Sequence, residues 1–128
     1  MSFSDTFETH VLNYVFTATS LTRPTAWYLA LFTSNPADDA SGTEVSTSGT
    51  AYARQSAAFT VSGDTASNNA AIEFPTATAS VGTVSHVAVF DASTGGNMIA
   101  YAALSSSKAI DTGDVFRVPS GDLDITLA

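Results

Sequence analysis

Two histidines, His10 and His86, are the only side chains of this sequence with an ordinary pKa near neutrality, so hydrolysis by a hydroxyl nucleophile would have to use one of them as its base. His10 falls near the middle of a helical pattern, at a solvated or partner-facing position. His86 alternates with Val84, Ala88 and Phe90 on one side of a strand pattern, where a hydrogen-bonded sandwich residue is the simpler reading. No Gly-x-Ser-x-Gly elbow, no His-Glu-x-x-His helix and no glycine-rich strand-to-helix loop accompanies them. Gly95-Gly96 lies between two strands, where a turn needing positive φ accounts for both. The paired carboxylates Asp38-Asp39, Asp111 with Asp114, and Asp122 with Asp124 all sit in or beside turns, where capping backbone N–H groups explains them better than sugar hydrolysis does. Their spacing does not match a twelve-residue calcium loop. The sequence therefore predicts a non-enzymatic protein with no catalytic residue, no metal-ligand set and no cofactor.

The chain that must position these residues has 128 residues, no Cys, and a net charge of -8 from 12 acidic against 4 basic residues. That length suits one domain with its own core, and the lack of Cys excludes disulfide and zinc-thiolate staples. Only 12% of the residues are charged, while 17 Ser and 18 Thr supply most of the polarity. Arg23, Arg54, Lys108 and Arg117 are too few and too dispersed to neutralise a row of phosphates, so nucleic acid is not an expected partner. No apolar run approaches the roughly twenty residues that span a bilayer, and the first residues carry no basic leader. A soluble, unprocessed chain with no membrane insertion is expected.

One segment has helical periodicity. Phe3, Phe7, Val11, Tyr14 and Val15 recur at spacings of three and four, which predicts a helix over about residues 4–18, with Asp5 and Glu8 as its capping pair. A Thr/Ser-rich connector closes on Arg23-Pro24. After Pro24 the chain reads as short strands between turn residues: 27–32, 52–61 with Ala57, Phe59 and Val61 on one side, 71–74, 83–90, 98–104, 108–110, 115–118 and 123–127. The segment from Asp38 to Gly49 reads as a long, exposed and mobile loop. The expected fold is mainly β: an antiparallel β-sandwich of seven or eight strands with jelly-roll or Greek-key connections and one N-terminal α-helix. The division is 1–24 as helix and connector, serving as an attachment or oligomer arm, and 25–128 as the sandwich.

The helix stripe carries more apolar surface than one sheet edge needs. Phe3, Phe7, Val11 and Tyr14 are therefore candidate partner-binding residues, facing a neighbouring subunit of a homo-oligomer. Arg54 joins them, as a cation within a strand pattern that either pairs with an acid across strands or across subunits or is simply exposed at the surface. Asp38 and Asp39 in the long loop, and Thr94, Gly95, Gly96 and Asn97 at the 83–104 hairpin tip, are the outward-facing loop candidates.

Four separated segments carry a family resemblance: Arg23-Pro-Thr-Ala-Trp-Tyr-Leu-Ala-Leu-Phe-Thr-Ser-Asn-Pro36, Gly42-Thr-Glu-Val-Ser46, Tyr52-Ala-Arg-Gln55, and His86-Val-Ala-Val-Phe-Asp-Ala-Ser-Thr-Gly-Gly-Asn97. Together with the closing pattern from Leu104 through Lys108, Gly113-Asp114, Pro119, Gly121 and Leu127, they resemble a family of small virion proteins of tailed bacteriophages. Thr47-Ser48-Gly49-Thr50-Ala51 departs from that family's compact glycine run and alters a loop only. The resemblance implies a virion structural protein, labelled tail-fibre-like or simply virion structural. Of the two placements, a trimeric decoration protein cementing the major capsid protein on the head exterior is favoured, because 128 residues leave no long shaft and the chain has its own N-terminal attachment element. The alternative is a tail-fibre adhesin module whose loops contact a host-surface glycan. Either one would be soluble in the host cytoplasm before assembly. A glycan-active enzyme using Asp122 and Asp124 is the third reading.

Overall fold

The computed structural model describes residues 1–127; Ala128, the last residue of the expected sandwich, lies outside the described residues. The chain forms β1 (Ser2–Phe3), α1 (Asp5–Phe16), β2 (Trp27–Phe32), β3 (Gln55–Ala57), β4 (Phe59–Ser62), β5 (Thr65–Asn68), β6 (Ile72–Glu73), β7 (Gly82–Phe90), β8 (Met98–Ile110), β9 (Arg117–Val118) and β10 (Asp124–Thr126). All strand pairings are antiparallel, in a five-stranded sheet β1-β8-β7-β2-β3, a three-stranded sheet β10-β5-β4 and a two-stranded sheet β6-β9. The fold is thus mainly β and sandwich-like with one helix near the N-terminus.

β2 explains why both of its faces are apolar. Leu29 and Leu31 join Val87, Val89 and Ile99 in the main core, closed on the far side by Ile72, Phe74, Phe116 and Leu123. Ala30 and Phe32 point the other way and form a second, smaller core with Ala88, Phe90 and Met98. The five-stranded sheet is therefore buried on both faces around β2 and β7, which is why these strands read as continuous apolar runs.

Several local expectations are corrected by the register. The 52–61 stretch is two strands, not one: Ala57 pairs with Trp27 in the large sheet, Phe59 with Asn68 in the three-stranded sheet, and the chain changes layers at Ala58. Switching layers within one extended segment is a common way to turn a sandwich corner. Val61 consequently leaves the core and is 71% exposed. Val84 and His86 do not share a face, because the register shifts between them: Val84 pairs with Lys108 and His86 with Ala103, so Leu104–Ser107 bulge opposite Ser85 alone. The 98–104 and 108–110 segments are two arms of one strand around that bulge. Strand β5, Thr-Ala-Ser-Asn, is too polar to announce itself, and β1 is too short.

Short strands leave backbone groups that side chains must satisfy. Asn68, 1% exposed, donates from Nδ2 to the carbonyls of Ala70 and Pro119, both at 2.9 Å, and accepts the Leu123 N–H at Oδ1, also at 2.9 Å. It ties β10 to β5 where neither strand is long enough to do so alone. Ser4, not the Asp5/Glu8 pair, caps α1: it has extended dihedrals, its hydroxyl accepts from the Phe7 N–H and donates to the Met98 carbonyl.

Ala51 has a left-handed φ of 62° and is exposed, so its Cβ contributes strain and no packing. Ala51→Gly is expected to stabilise the fold by about 0.5–1 kcal/mol, read as a higher urea midpoint at unchanged slope; a lower midpoint would show that this strain is not present.

Candidate functional site

Arg54 follows the turn at Thr50-Ala51, and two residues later Ser56 pairs with Tyr28, so alternation along the strand directs the Arg54 side chain over the second face of the large sheet. There its guanidinium lies 3.7 Å from the centroid of the Phe90 ring, and Phe90 is stacked on Phe32 at 6.2 Å with an interplanar angle of 3°. Every nitrogen of the guanidinium donates. Nε reaches Glu44 Oε2 at 3.0 Å and Nη2 reaches Glu44 Oε1 at 2.8 Å, a bidentate pair. Nη1 donates to the carbonyls of Ala92 at 2.9 Å and Gly95 at 2.8 Å. The Arg54 side chain is only 8% exposed and that of Glu44 26%.

Tyr52 completes the cluster. Its hydroxyl donates to Glu44 Oε2 at 2.7 Å and accepts the Leu31 N–H at 3.1 Å. β3 pairs with β2 only as far as Leu29, so this hydroxyl stands in for the strand partner that Leu31 lacks. Burial, reinforced by the hydrogen bond to Glu44, pushes the Tyr52 hydroxyl well above the ordinary tyrosine range.

Around this cluster the two loop regions converge. The 33–45 segment is not a free loop: Thr33 N–H bonds to Thr43 O, Val45 N–H to Leu31 O, Pro36 is buried, and Gly42 passes so close to Asn35 that a Cβ there would lie 2.6 Å from its carbonyl oxygen. Asp38 accepts the Tyr101 hydroxyl at 2.6 Å, which holds that phenol above its usual range, and Ser41 holds the Asp39 carboxyl below its own. At the hairpin tip Asp91 accepts both the Asn97 N–H, at 2.7 Å, and its side-chain amide. Gly96, with φ of 71°, has no room for a Cβ beside Asp91 and Ala92. The mouth between Glu44–Thr47, Tyr52–Arg54 and Ser93–Gly95 is an open groove of 390 Å³ whose lining mixes apolar surface with the hydroxyls of Ser46, Thr47, Ser93 and Thr94.

Asp38, Asp39, Thr94, Gly95, Gly96 and Asn97 lie at the surface, and Asp38 and Asp39 line one groove with Gly96 and Asn97, which brings the two loops together. Arg54 is different: of its sequence readings, pairing with an acid of the same chain is what the structure shows, and its donors are occupied within the chain. It is no longer a partner-facing candidate. Phe7 is corrected in the same way, since it is buried in the main core with its ring 4.9 Å from His10. Phe3 is half-buried in β1 against that core. Val11 and Tyr14 remain exposed. Asp124 accepts the Ser67 hydroxyl, Asp114 the Asp111 N–H, and no three acids or histidines cluster as metal ligands among the described residues. Glu44 and Tyr52 are the site residues that sequence reasoning missed; the Glu44/Arg54 pairing joins a residue of the segment read as loop to one of the following strand pattern, ten residues on.

A family model described as podophage GP4 fiber I protein gp80 matches residues 2–126. No curated protein matches the chain.

Arg54→Ala removes three anchors and strands a quarter-exposed carboxylate. It is expected to cost about 2–4 kcal/mol in denaturant unfolding and to raise amide exchange at residues 91–97 more than elsewhere; uniform exchange would show that Arg54 does not hold the tip. Because the Tyr52 hydroxyl titrates higher folded than unfolded, its stabilisation is fully present below pH about 10, the ordinary tyrosine value, and is lost as pH rises beyond it. Tyr52→Phe should lower stability at neutral pH by about 1–3 kcal/mol by orphaning the Leu31 N–H, and should flatten the alkaline decline of the folding free energy.

Proposed function

The chain belongs to the podophage GP4 fiber I protein gp80 family, and from that premise we propose that it serves in the tail, as a fibre component whose paired loops contact the host surface, rather than as a cement on the head. That it is a phage virion structural protein follows from the family itself. The observation that carries the finer reading is the extent of the match: residues 2–126 include α1, the sheets and both loops, so the fibre description applies to the whole body and not to one grafted segment. Capsid decoration, favoured on sequence by the shortness of the chain, has no comparable support.

The loop geometry supports a contact role. Loops on a rigid scaffold are the usual carriers of surface recognition. Here Arg54 fixes 44–47 and 91–97 against each other before any partner arrives, so little ordering entropy remains to be lost on contact. The groove between them offers Ser46, Thr47, Ser93 and Thr94, hydroxyls suited to the hydroxyl-rich surface of a host glycan. No catalytic step is proposed.

Gold-labelled antibody against this chain should decorate the tails of intact particles; label over the heads would overturn the fibre reading. Thr47→Trp and Thr94→Trp fill the mouth of the groove without touching either core. They are expected to lower binding of the purified protein to host cells at least tenfold, and unchanged binding would remove these loops from the contact surface.

A further inference from the structure

α1 leaves the body of the protein as it proceeds. Phe7, in its first turn, is 8% exposed; Val11, one turn on, is 41% exposed; Tyr14, two turns from Phe7 on the same stripe, is 77% exposed. Leu12, Val15 and Phe16 are also exposed, Phe16 by 78%, and no charged residue interrupts the run from Val11 to Phe16. Whole aromatic side chains present roughly 150–250 Å² each, so Tyr14, Phe16 and the three aliphatics leave about 600 Å² of apolar surface uncovered. A monomer seldom carries a contiguous apolar patch larger than about 600 Å². Beside this helix face, Met1, Phe3, Val11, Leu12 and Leu127, with Glu8 among them, line a groove of 440 Å³.

We propose that this surface is a self-association interface, the exposed half of α1 from one copy docking on the same region of a second copy of the chain. Three observations select that occupant. The patch approaches the roughly 800 Å² per partner that a standard stable interface buries, and Leu127, 53% exposed at its border, extends it. It contains both a projecting element, Tyr14 and Phe16, and a receiving groove at Val11, Leu12 and Leu127, the pairing of knob and hole on one surface that closed symmetric assemblies require. A membrane surface is disfavoured as occupant because an interfacial helix carries cations on its polar face, whereas the charges of α1 are the acids Asp5 and Glu8. The residues that bind are then Leu12, Tyr14, Val15 and Phe16 with Val11 at their edge; Phe3 and Phe7 anchor the helix to its own body.

This inference rests on the packing of α1 and not on the fibre reading, and it is tested on the purified full chain. Light scattering is expected to give two or three times the chain mass of 13.2 kDa for the natural sequence and a single 13.2 kDa for the double variant Tyr14→Ser, Phe16→Ser. Both positions lie outside the cores, so the variant keeps the urea midpoint of the monomeric body. The chain has no Cys, which permits a second readout: under mild oxidation Phe16→Cys should form a disulfide-linked pair and Thr94→Cys, on the loop face, should not. A monomeric natural chain at about 0.1 mM, an unchanged mass in the double variant, or crosslinking through Thr94→Cys in place of Phe16→Cys would overturn it, and each of these would leave a tail label on particles unaffected.

Discussion

A guanidinium resting on a phenylalanine ring is the point through which the second face of this protein is held. Arg54 joins three stretches of chain that share no strand ladder: Glu44 from the segment after β2, its own segment before β3, and the β7–β8 tip at Ala92 and Gly95. The energetics of such a cluster are asymmetric. A nearly buried ion pair gains little over well-packed apolar groups, yet leaving one of its charges without the other is costly. The net effect is less an increase in stability than a penalty on any other arrangement of the two loops. With 4 basic residues in the whole chain, one of them is thus committed to contacts within the chain.

The same logic recurs wherever strands are too short. A two- or three-residue strand leaves donors and acceptors at its ends, and a buried orphan costs about 1–3 kcal/mol. The Tyr52 hydroxyl supplies the missing acceptor for Leu31, the Asn68 amide closes the β5–β10 corner, and Ser4 both caps α1 and binds the Met98 carbonyl. Among the described residues no buried side-chain polar atom is without a partner. The abundance of hydroxyl and amide side chains is thus partly structural, replacing ladder bonds that longer strands would make for themselves.

This division determines how much of the fold is legible in the sequence. Periodicity reports which way side chains point within one unbroken element, so α1, β2 and the β7–β8 hairpin can be read directly. It cannot report a change of layer or a register slip. The bulge opposite Ser85 turns Val84 into the main core while His86, paired with Phe32, keeps the face of Ala88 and Phe90 that periodicity gives it, and the switch at Ala58 carries the strand off the large sheet, so that Phe59 still packs on the core and Val61 does not. The stripe of α1 has the right composition, but where the helix overruns the sheet depends on tertiary placement, so Phe7 and Tyr14 look equivalent in sequence and are opposite in the structure. Arg54 stands out in the sequence as a rare cation in a strand pattern. Its partner Glu44 lies hidden in a segment whose turn-rich composition argues for disorder, although Gly42 is there because two backbone segments touch.

Two surfaces with contrasting physics therefore stand on one body. The loop face carries hydroxyls in a groove of mixed lining and is fixed in advance by Arg54, properties that favour repeated contacts with a hydrated surface at low ordering cost. The helix face is apolar, unsupported past Phe7 and costly to leave in water, properties that favour one lasting contact. Exchanging these roles would be unfavourable on both sides: a hydroxyl groove desolvated permanently needs every group paired, and an apolar helix presented to a glycan gains little. Under the proposed roles, the distribution of apolar and hydrogen-bonding groups, more than any single residue, thus accounts for which side of the protein is held and which side is presented.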